Sequence, residues 1–247
     1  MDSRAYISEI FSSLQGEGPH TGEPMTFVRF AGCGLSCRWC DTKHARENGA
    51  YCKIETPPRS RSFVNQANPL SVEQLSAQLR FFTDLTISVT GGEPLLQADF
   101  IAKWLSEKRP DKKVLLETNG ICHKELLKIG RFVDIFSVDI KLPSSAGISR
   151  HWEEHRAFLH NALSFGKETY VKMVVTKDTL DADIQEAIKV VSSVNKFIPV
   201  VLQPASGTDS FDQTISDEKL LSFARLCGLW LTNVSTMKQA HKEMGIL

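Results

Sequence analysis

Cys33-Gly34-Leu35-Ser36-Cys37-Arg38-Trp39-Cys40 places three thiols within one short run, in the spacing C-x3-C-x2-C. Thiolates are soft ligands that suit iron–sulfur clusters and zinc. A cubane held by protein alone normally takes four cysteines, so three ligands leave one iron free to chelate a small molecule. A structural zinc site needs four closed ligands, and the fourth would have to come from His44, Cys52 or further away. Disulfides fit the spacing, yet six cysteines in 247 residues are few for a secreted scaffold and form no regular framework. The run favours a cluster and leaves zinc open.

A chain of 247 residues is long enough for one sizeable core, and α/β barrels of this length are usually one domain. We therefore expect a single domain over 1–247. Hydrophobic residues make up 42%, which argues against disorder. Lys plus Arg equals Asp plus Glu at 29 each, so no basic field points to nucleic acid, and a small polar substrate is the expected partner. The stretch from Met1 to Ser13 lacks the basic start and apolar core of a signal peptide, and no apolar run approaches a membrane span. Free thiols without an export signal predict the cytoplasm. Cys52, Cys122 and Cys227 fall outside any pattern and read as free structural thiols.

Short apolar runs alternate with amphipathic stretches, which predicts parallel strands joined by crossover helices. The expected strands are 26–30, 86–89, 113–117, 135–138, 170–175, 200–203 and a weaker one near 229–233. Helices are expected over 72–82, 99–108, 124–129, 151–164, 183–193 and 217–226. Ser71 with Gln74 reads as a capping box, and Ser216 as an N-cap before first-turn acids. The segment 43–69 carries Pro57-Pro58 and no sustained periodicity. It reads as an irregular insertion, whether a lid, a substrate-shaping excursion, a dimer contact or a mobile spacer.

Chemistry in a parallel α/β sheet collects at the carboxyl ends of strands, and each polar motif follows an expected strand. Thr90-Gly91-Gly92-Glu93-Pro94 lets the backbone approach a ligand, with Glu93 and open carbonyls to accept from an ammonium group; an ordinary turn stays open. Glu117 in Glu117-Thr118-Asn119-Gly120 can bridge ribose hydroxyls. Ser137, Asp139 and Lys141 alternate onto one side of their strand and can converge on a polar ligand, against a plain Asp139–Lys141 salt bridge. Gln203-Pro204-Ala205-Ser206 offers a donor and an acceptor for an adenine or ribose edge, and is otherwise an ordinary loop.

The C-x3-C-x2-C run with these motifs resembles the radical S-adenosylmethionine (SAM) superfamily. That resemblance implies a partial (β/α) barrel, mostly parallel with outer helices, in which Cys33, Cys37 and Cys40 bind a [4Fe-4S] cluster. It places Gly91, Gly92 and Glu93 at the methionyl amino group, and Trp39, Asp41, Glu117, Ser137, Asp139, Lys141, Gln203, Pro204, Ala205 and Ser206 around the rest of SAM. More narrowly, Ser12-Ser13-Leu14-Gln15-Gly16-Glu17-Gly18, Phe27-Val28-Arg29, Trp39-Cys40-Asp41-Thr42 and Gln239-Ala240-His241-Lys242 are similar to the 7-carboxy-7-deazaguanine synthase family.

That family is a group of carbon–nitrogen lyases. It converts 6-carboxy-5,6,7,8-tetrahydropterin to 7-carboxy-7-deazaguanine plus ammonia by radical ring contraction, for queuosine, archaeosine and related deazapurines in tRNA modification. The resemblance implies that an adenosyl radical abstracts hydrogen from the pterin and that SAM is regenerated. A flat pterin with alternating donors and acceptors suits the Leu14, Gln15 and Gly16 backbone and the Glu17 carboxylate. Arg29 supplies a fork for the substrate carboxylate, Thr90 a donor, and His241 closes the pocket. Pairing of Glu17 with Arg29, and a solvated His241, remain the bland alternatives. Thr42 becomes a Mg²⁺ ligand by resemblance, in keeping with a hard ion that keeps waters and uses substrate oxygens. The family also implies a homodimer and an electron donor such as flavodoxin or ferredoxin. A radical SAM activase, making a glycyl radical on a partner protein, is the rival reading.

Overall fold

The computed structural model describes residues 3–206 and 214–238, so the Gln239–Lys242 motif and His241 lie outside the described residues. In chain order the elements begin with β1 (Arg4–Ala5), β2 (Ile7–Leu14) and β3 (Pro24–Phe30), then β4 (Tyr51–Glu55), β5 (Phe63–Ala67) and β6 (Leu70–Ser71). Next come α1 (Val72–Leu79), β7 (Thr86–Gly91), α2 (Ala98–Lys108), β8 (Lys113–Thr118), α3 (His123–Ile129) and β9 (Ile135–Asp139). The short α4 (Pro143–Ala146), α5 (Trp152–Ser164), β10 (Glu168–Val175), α6 (Asp181–Asn195), β11 (Val200–Pro204), α7 (Asp217–Gly228) and β12 (Val234–Thr236) complete the chain.

Among the described residues one sheet runs β12-β11-β10-β9-β8-β7-β3-β2-β4-β5. From β3 through β12 every pairing is parallel and follows chain order. The crossover helices contact one another in sequence, α1 to α2 to α3 to α5 to α6 to α7. This is the curved, one-sided helix layer of a partial barrel; no pairing between β12 and β5 closes it among the described residues. The expected mostly parallel sheet with outer helices is thus observed.

Alternation along the strands sorts side chains onto two faces. Val28 and Phe30 of β3, Leu116 of β8, Phe136 and Val138 of β9, and Val171, Met173 and Val175 of β10 bury in the large core beneath the helices, around Trp104 and Phe158. Their neighbours Met25, Phe27, Leu115, Ile135 and Tyr170 form a smaller apolar cluster with Phe11 on the other face. One step further along, that inner face turns polar. The helix starts follow local chemistry. Gln74 N donates to Ser71 Oγ at 3.3 Å while Ser71 N donates to Gln74 Oε1 at 2.8 Å, closing the expected capping box. Ser216 caps α7 by accepting from Lys219 N.

Three expectations require correction. The segment 43–69 is not irregular: β4 pairs parallel with β2, and β5 folds back antiparallel on β4. Cys52 and Ile54 bury in the core, but β5 is exposed along most of its length, so it carries no apolar period to read. The strand expected near 229–233 lies instead at Val234–Thr236, because α7 continues to Gly228 and 229–233 form the turn. The serine-rich β2 was not expected as a strand, yet it pairs antiparallel with the whole of β3.

The hairpin is tied down by one buried carboxylate. Asp84 accepts from Ser12 Oγ (2.6 Å) on β2, Thr26 Oγ1 (2.9 Å) on β3 and Arg59 Nη2 (2.6 Å) on the connection after β4. Burial alone would raise its pKa, but these donors outweigh it and hold the carboxyl below its ordinary range. We expect Asp84→Ala to leave two buried hydroxyls without their acceptor and to lower unfolding free energy by about 2 kcal/mol, measured by urea titration; an unchanged midpoint would contradict the tether.

Candidate active site

A cavity of about 200 Å³ opens at the carboxyl ends of the parallel strands. The inward row that ends in apolar Phe27 and Leu115 continues as Arg29 on β3, Thr90 on β7, Glu117 on β8, Asp139 on β9, Lys172 and Val174 on β10 and Gln203 on β11. Register makes this row: Arg29 pairs with Thr90, and Asp139 with Lys172.

One end of the cavity is the thiol loop after β3. Cys33, Cys37 and Cys40 are free of disulfides and all three line it, whereas Cys52, Cys122 and Cys227 do not. Main-chain bonds shape the loop: Gly32 N to Ala45 O (2.9 Å), Cys33 N to Arg46 O (3.1 Å) and Arg38 N to Ala146 O (2.9 Å). Arg46 Nη2 also donates to Cys37 O at 2.7 Å. Burial raises the thiol pKa values of Cys33 and Cys37, with Glu93 near the first and Asp139 near the second adding and Lys141 opposing. Trp39 Nε1 donates to Ser145 Oγ (3.1 Å), which donates to Val174 O (2.7 Å), anchoring the loop on β10. Thr42 and Asp41 follow on the same wall, with Thr42 Oγ1 3.8 Å from Cys40 Sγ.

The end of β7 presses directly on this loop. A Cβ on Gly91, whose φ is +144°, would lie 2.1 Å from Phe30 O. One on Gly92 would lie 2.3 Å from Gly32 O. Only glycine permits so close a backbone approach. Glu93 turns the other way: it is 1% exposed and is not among the cavity-lining residues. Its carboxylate accepts from Thr118 Oγ1 (2.9 Å), Asn119 N (2.8 Å) and Leu95 N (3.1 Å), a strut between two strand-end loops.

The opposite wall is charged. Arg29 donates through Nε to Glu9 Oε1 at 2.6 Å, with His44 Nε2 3.4 Å from the same oxygen. Burial pushes Glu9 up, but His44 and Arg29 outweigh it and hold its pKa at about 2. Glu17 pairs with Lys172, not with Arg29, and accepts from Gln203 Nε2 at 2.9 Å. Glu117 accepts from Ser88 Oγ (2.7 Å) and Gln15 Nε2 (3.1 Å). Lys141 bonds Asp139 at 2.7 Å and lies 4.5 Å from the centre of the Trp39 ring. Its backbone N–H donates to His155 Nε2 at 3.1 Å, so the His155 proton sits on Nδ1 and points to Gly120 O.

Of the residues singled out in the sequence, the structure gathers Leu14, Gln15, Gly16, Glu17, Arg29, Thr90, Gly91, Gly92, Glu117, Asp139, Lys141, Gln203, Ala205 and Ser206 on this cavity with the thiol loop. Ser137, Pro204 and Glu93 stand behind the wall, and Ser137 is 1% exposed. Sequence reading missed Lys172, Arg46, Phe11 and Leu35. For Lys172 a signal existed: a lone cation inside Tyr170-Val171-Lys172-Met173-Val174-Val175 must face something polar. The donor set fits a cluster with one open iron, since three thiols and no fourth cysteine share the wall. Among the described residues no three His, Cys, Asp or Glu side chains are grouped to hold a single ion.

The Radical SAM superfamily model matches residues 27–191. A 7-carboxy-7-deazaguanine synthase of Geobacter sulfurreducens is 37% identical over 249 residues, 98% of each chain. One of Methanothermobacter thermautotrophicus is 32% identical, again over 98% of each chain. Among solved structures, QueE from Escherichia coli matches with a TM-score of 0.57 at 20% identity, over 96% of this chain and 95% of that one. Streptococcus suis SuiB bound to S-adenosylmethionine matches with a TM-score of 0.53 at 16% identity, over 86% of this chain and 51% of that one. These structures share the fold.

Two outcomes follow from the geometry. Gly92→Ala should cost about 2 kcal/mol or more, because backbone must move, while Gly228→Ala, which meets nothing within 4 Å, should not; thermal unfolding of both decides it. His155 is buried and its pKa is pushed down to about 3, so the folded state refuses a proton that the unfolded state takes near 6.5. Stability is therefore full above about 6.5 and should fall by about 1.4 kcal/mol per unit as pH drops from there toward about 3, levelling off below. Urea unfolding across that range should show this slope, and His155→Gln should flatten it.

Proposed function

Because the chain belongs to the 7-carboxy-7-deazaguanine synthase family of radical SAM enzymes, we propose that its cavity holds SAM beside 6-carboxy-5,6,7,8-tetrahydropterin and converts the pterin to 7-carboxy-7-deazaguanine and ammonia. The observation that carries this is the division of one cavity into a thiol end and a charged, flat-ligand end. Relatives named as synthases along nearly their whole length favour it over a glycyl-radical activase.

Cys33, Cys37 and Cys40 hold the [4Fe-4S] cluster, which when bound supplies the electron that cleaves SAM into the hydrogen-abstracting radical. The Gly91–Gly92 backbone lets the methionyl group lie against the strand end. Glu93 acts through Asn119 and Thr118 and positions that turn. Lys141, clamped by Asp139 and stacked near Trp39, offers a cation to the SAM carboxylate. Glu117 meets ribose hydroxyls, and Gln203, Ala205 and Ser206 border the adenine, with Pro204 and Ser137 supporting from behind.

For the pterin, Glu17 and the backbone from Leu14 to Gly16 read the donor edge, and Thr90 adds a hydrogen bond. Arg29 meets the carboxylate through its terminal nitrogens because Glu9 occupies Nε. The Thr42 hydroxyl, next to Asp41, is an oxygen donor suited to Mg²⁺, with substrate oxygens and water completing the shell. Orientation and water exclusion are the protein's main contributions.

No helix among the described residues is long and apolar enough to cross a membrane. We place the enzyme in the reducing cytoplasm as a homodimer serving deazapurine-based tRNA modification, with a small electron carrier such as flavodoxin or ferredoxin.

Anaerobic incubation of the reconstituted enzyme with SAM, dithionite, Mg²⁺ and carboxytetrahydropterin should yield the deazaguanine by mass spectrometry. Cys37→Ala should abolish turnover. Thr42→Ala should shift the Mg²⁺ requirement by about tenfold, within the range for an altered metal site. No product from the wild type, or an active Cys37→Ala protein, would overturn the reading.

A further inference from the structure

One charged side chain on the cavity wall has no part in the functions so far given. Lys172 is 5% exposed, in a strand whose neighbours from Tyr170 to Val175 are otherwise apolar and buried. Its Nζ contacts Glu17 Oε2 and lies 3.8 Å from Glu117 Oε2. Gln15 ties the same two residues on a second path: it donates from Nε2 to the Glu117 carboxylate (3.1 Å) and accepts at Oε1 from the Glu17 main-chain N–H (3.1 Å). Glu17 and Glu117 thus form one unit, though they come from segments a hundred residues apart.

We propose that Lys172 is a positioning residue that keeps Glu17 and Glu117 ionised and aimed as hydrogen-bond acceptors, so that pterin and nucleoside are read by one coupled carboxylate pair. This rests on the roles given above to Glu17 and Glu117. Two carboxylates left in a poorly solvated site without a cation between them resist ionising together, and the second to ionise holds its proton to a higher pH. A protonated Glu17 would present a donor to the N–H edge it should accept from.

The charged and titratable groups facing Lys172 are Glu17 from the loop after β2, Glu117 from β8, Asp139 and Lys141 from the end of β9, and Tyr170 on its own strand. Burial disfavours the Lys172 ammonium, but the carboxylates outweigh it and the group stays protonated. Lys141 is committed to Asp139, and Arg29 to Glu9. Lys172 is the cation that, among the described residues, contacts both members of the pair.

Lys172→Met keeps most of the length of the side chain and removes the charge. Pterin affinity is measured by calorimetry on anaerobic, SAM-loaded, unreduced enzyme, with KM and kcat followed in parallel. The wild type should bind equally at about pH 6 and about pH 8, whereas the variant should bind at least about tenfold more weakly at the lower value, one pKa unit being tenfold. Its KM should move more than its kcat. Lys172→Arg should restore the flat profile, and Lys172→Met with Glu17→Gln should be weak but independent of pH. If the methionine variant does not fold by circular dichroism, Lys172→Gln carries the same test.

A variant that matches the wild type, or is weakened equally at every pH, overturns the assignment and leaves the proposed function standing. A wild type that binds no pterin removes both.

Discussion

An unbroken parallel register from β3 to β11 is the constraint on which the site depends. With a side-chain period of two, each strand contributes one residue in two to the inner face, and register decides at what height. Because Arg29 aligns with Thr90, Glu117 with Ser137 and Asp139 with Lys172, functional side chains from five strands meet in one band above the apolar floor. A slip by one residue would send the whole band into the helix-covered core and bring Val28, Leu116 and Val171 into the cavity. The large core is therefore also what aims the polar residues.

Charge burial is the second organising fact. The cavity wall holds Glu17, Glu117, Asp139, Arg29, Lys141 and Lys172, with Glu9 behind Arg29; all are buried or partly buried, and each acid is paired with a cation. Isolated, each would be costly to bury in that setting; paired, they form a polarised surface. The thiol loop is built differently, by main-chain bonds, a close glycine contact and guanidinium groups that donate to carbonyls.

Much of this was legible before folding was considered. Strands such as Lys113–Thr118 and Ile135–Asp139 announce themselves as largely apolar runs ending in polar residues, and those polar residues line the cavity. What escaped did so for identifiable reasons. The hairpin β4–β5 has one strand exposed along most of its length, so hydrophobic periodicity could not reveal it. β2 carries three serines that break its apolar alternation, and one of them, Ser12, gives its hydroxyl to Asp84. Glu93 read as a ligand because its neighbours are glycines; only the geometry shows a strut. Lys172 escaped because motif reading looks at strand ends, and it lies inside one.

Gly18 carries a consequence of another kind. The last glycine of Gln15-Gly16-Glu17-Gly18 has φ +69°, and a Cβ there would meet Tyr170 Cε2 at 2.7 Å. A phenol ring on a distant strand thus dictates a letter of the N-terminal motif by occupying its space. Along an evolutionary path the order of change is then constrained: the ring must shrink before any larger residue can be accepted at 18, and even afterwards the left-handed backbone leaves little beyond asparagine. Change at these two positions is coupled, and a lineage that takes the steps in reverse passes through a strained ancestor.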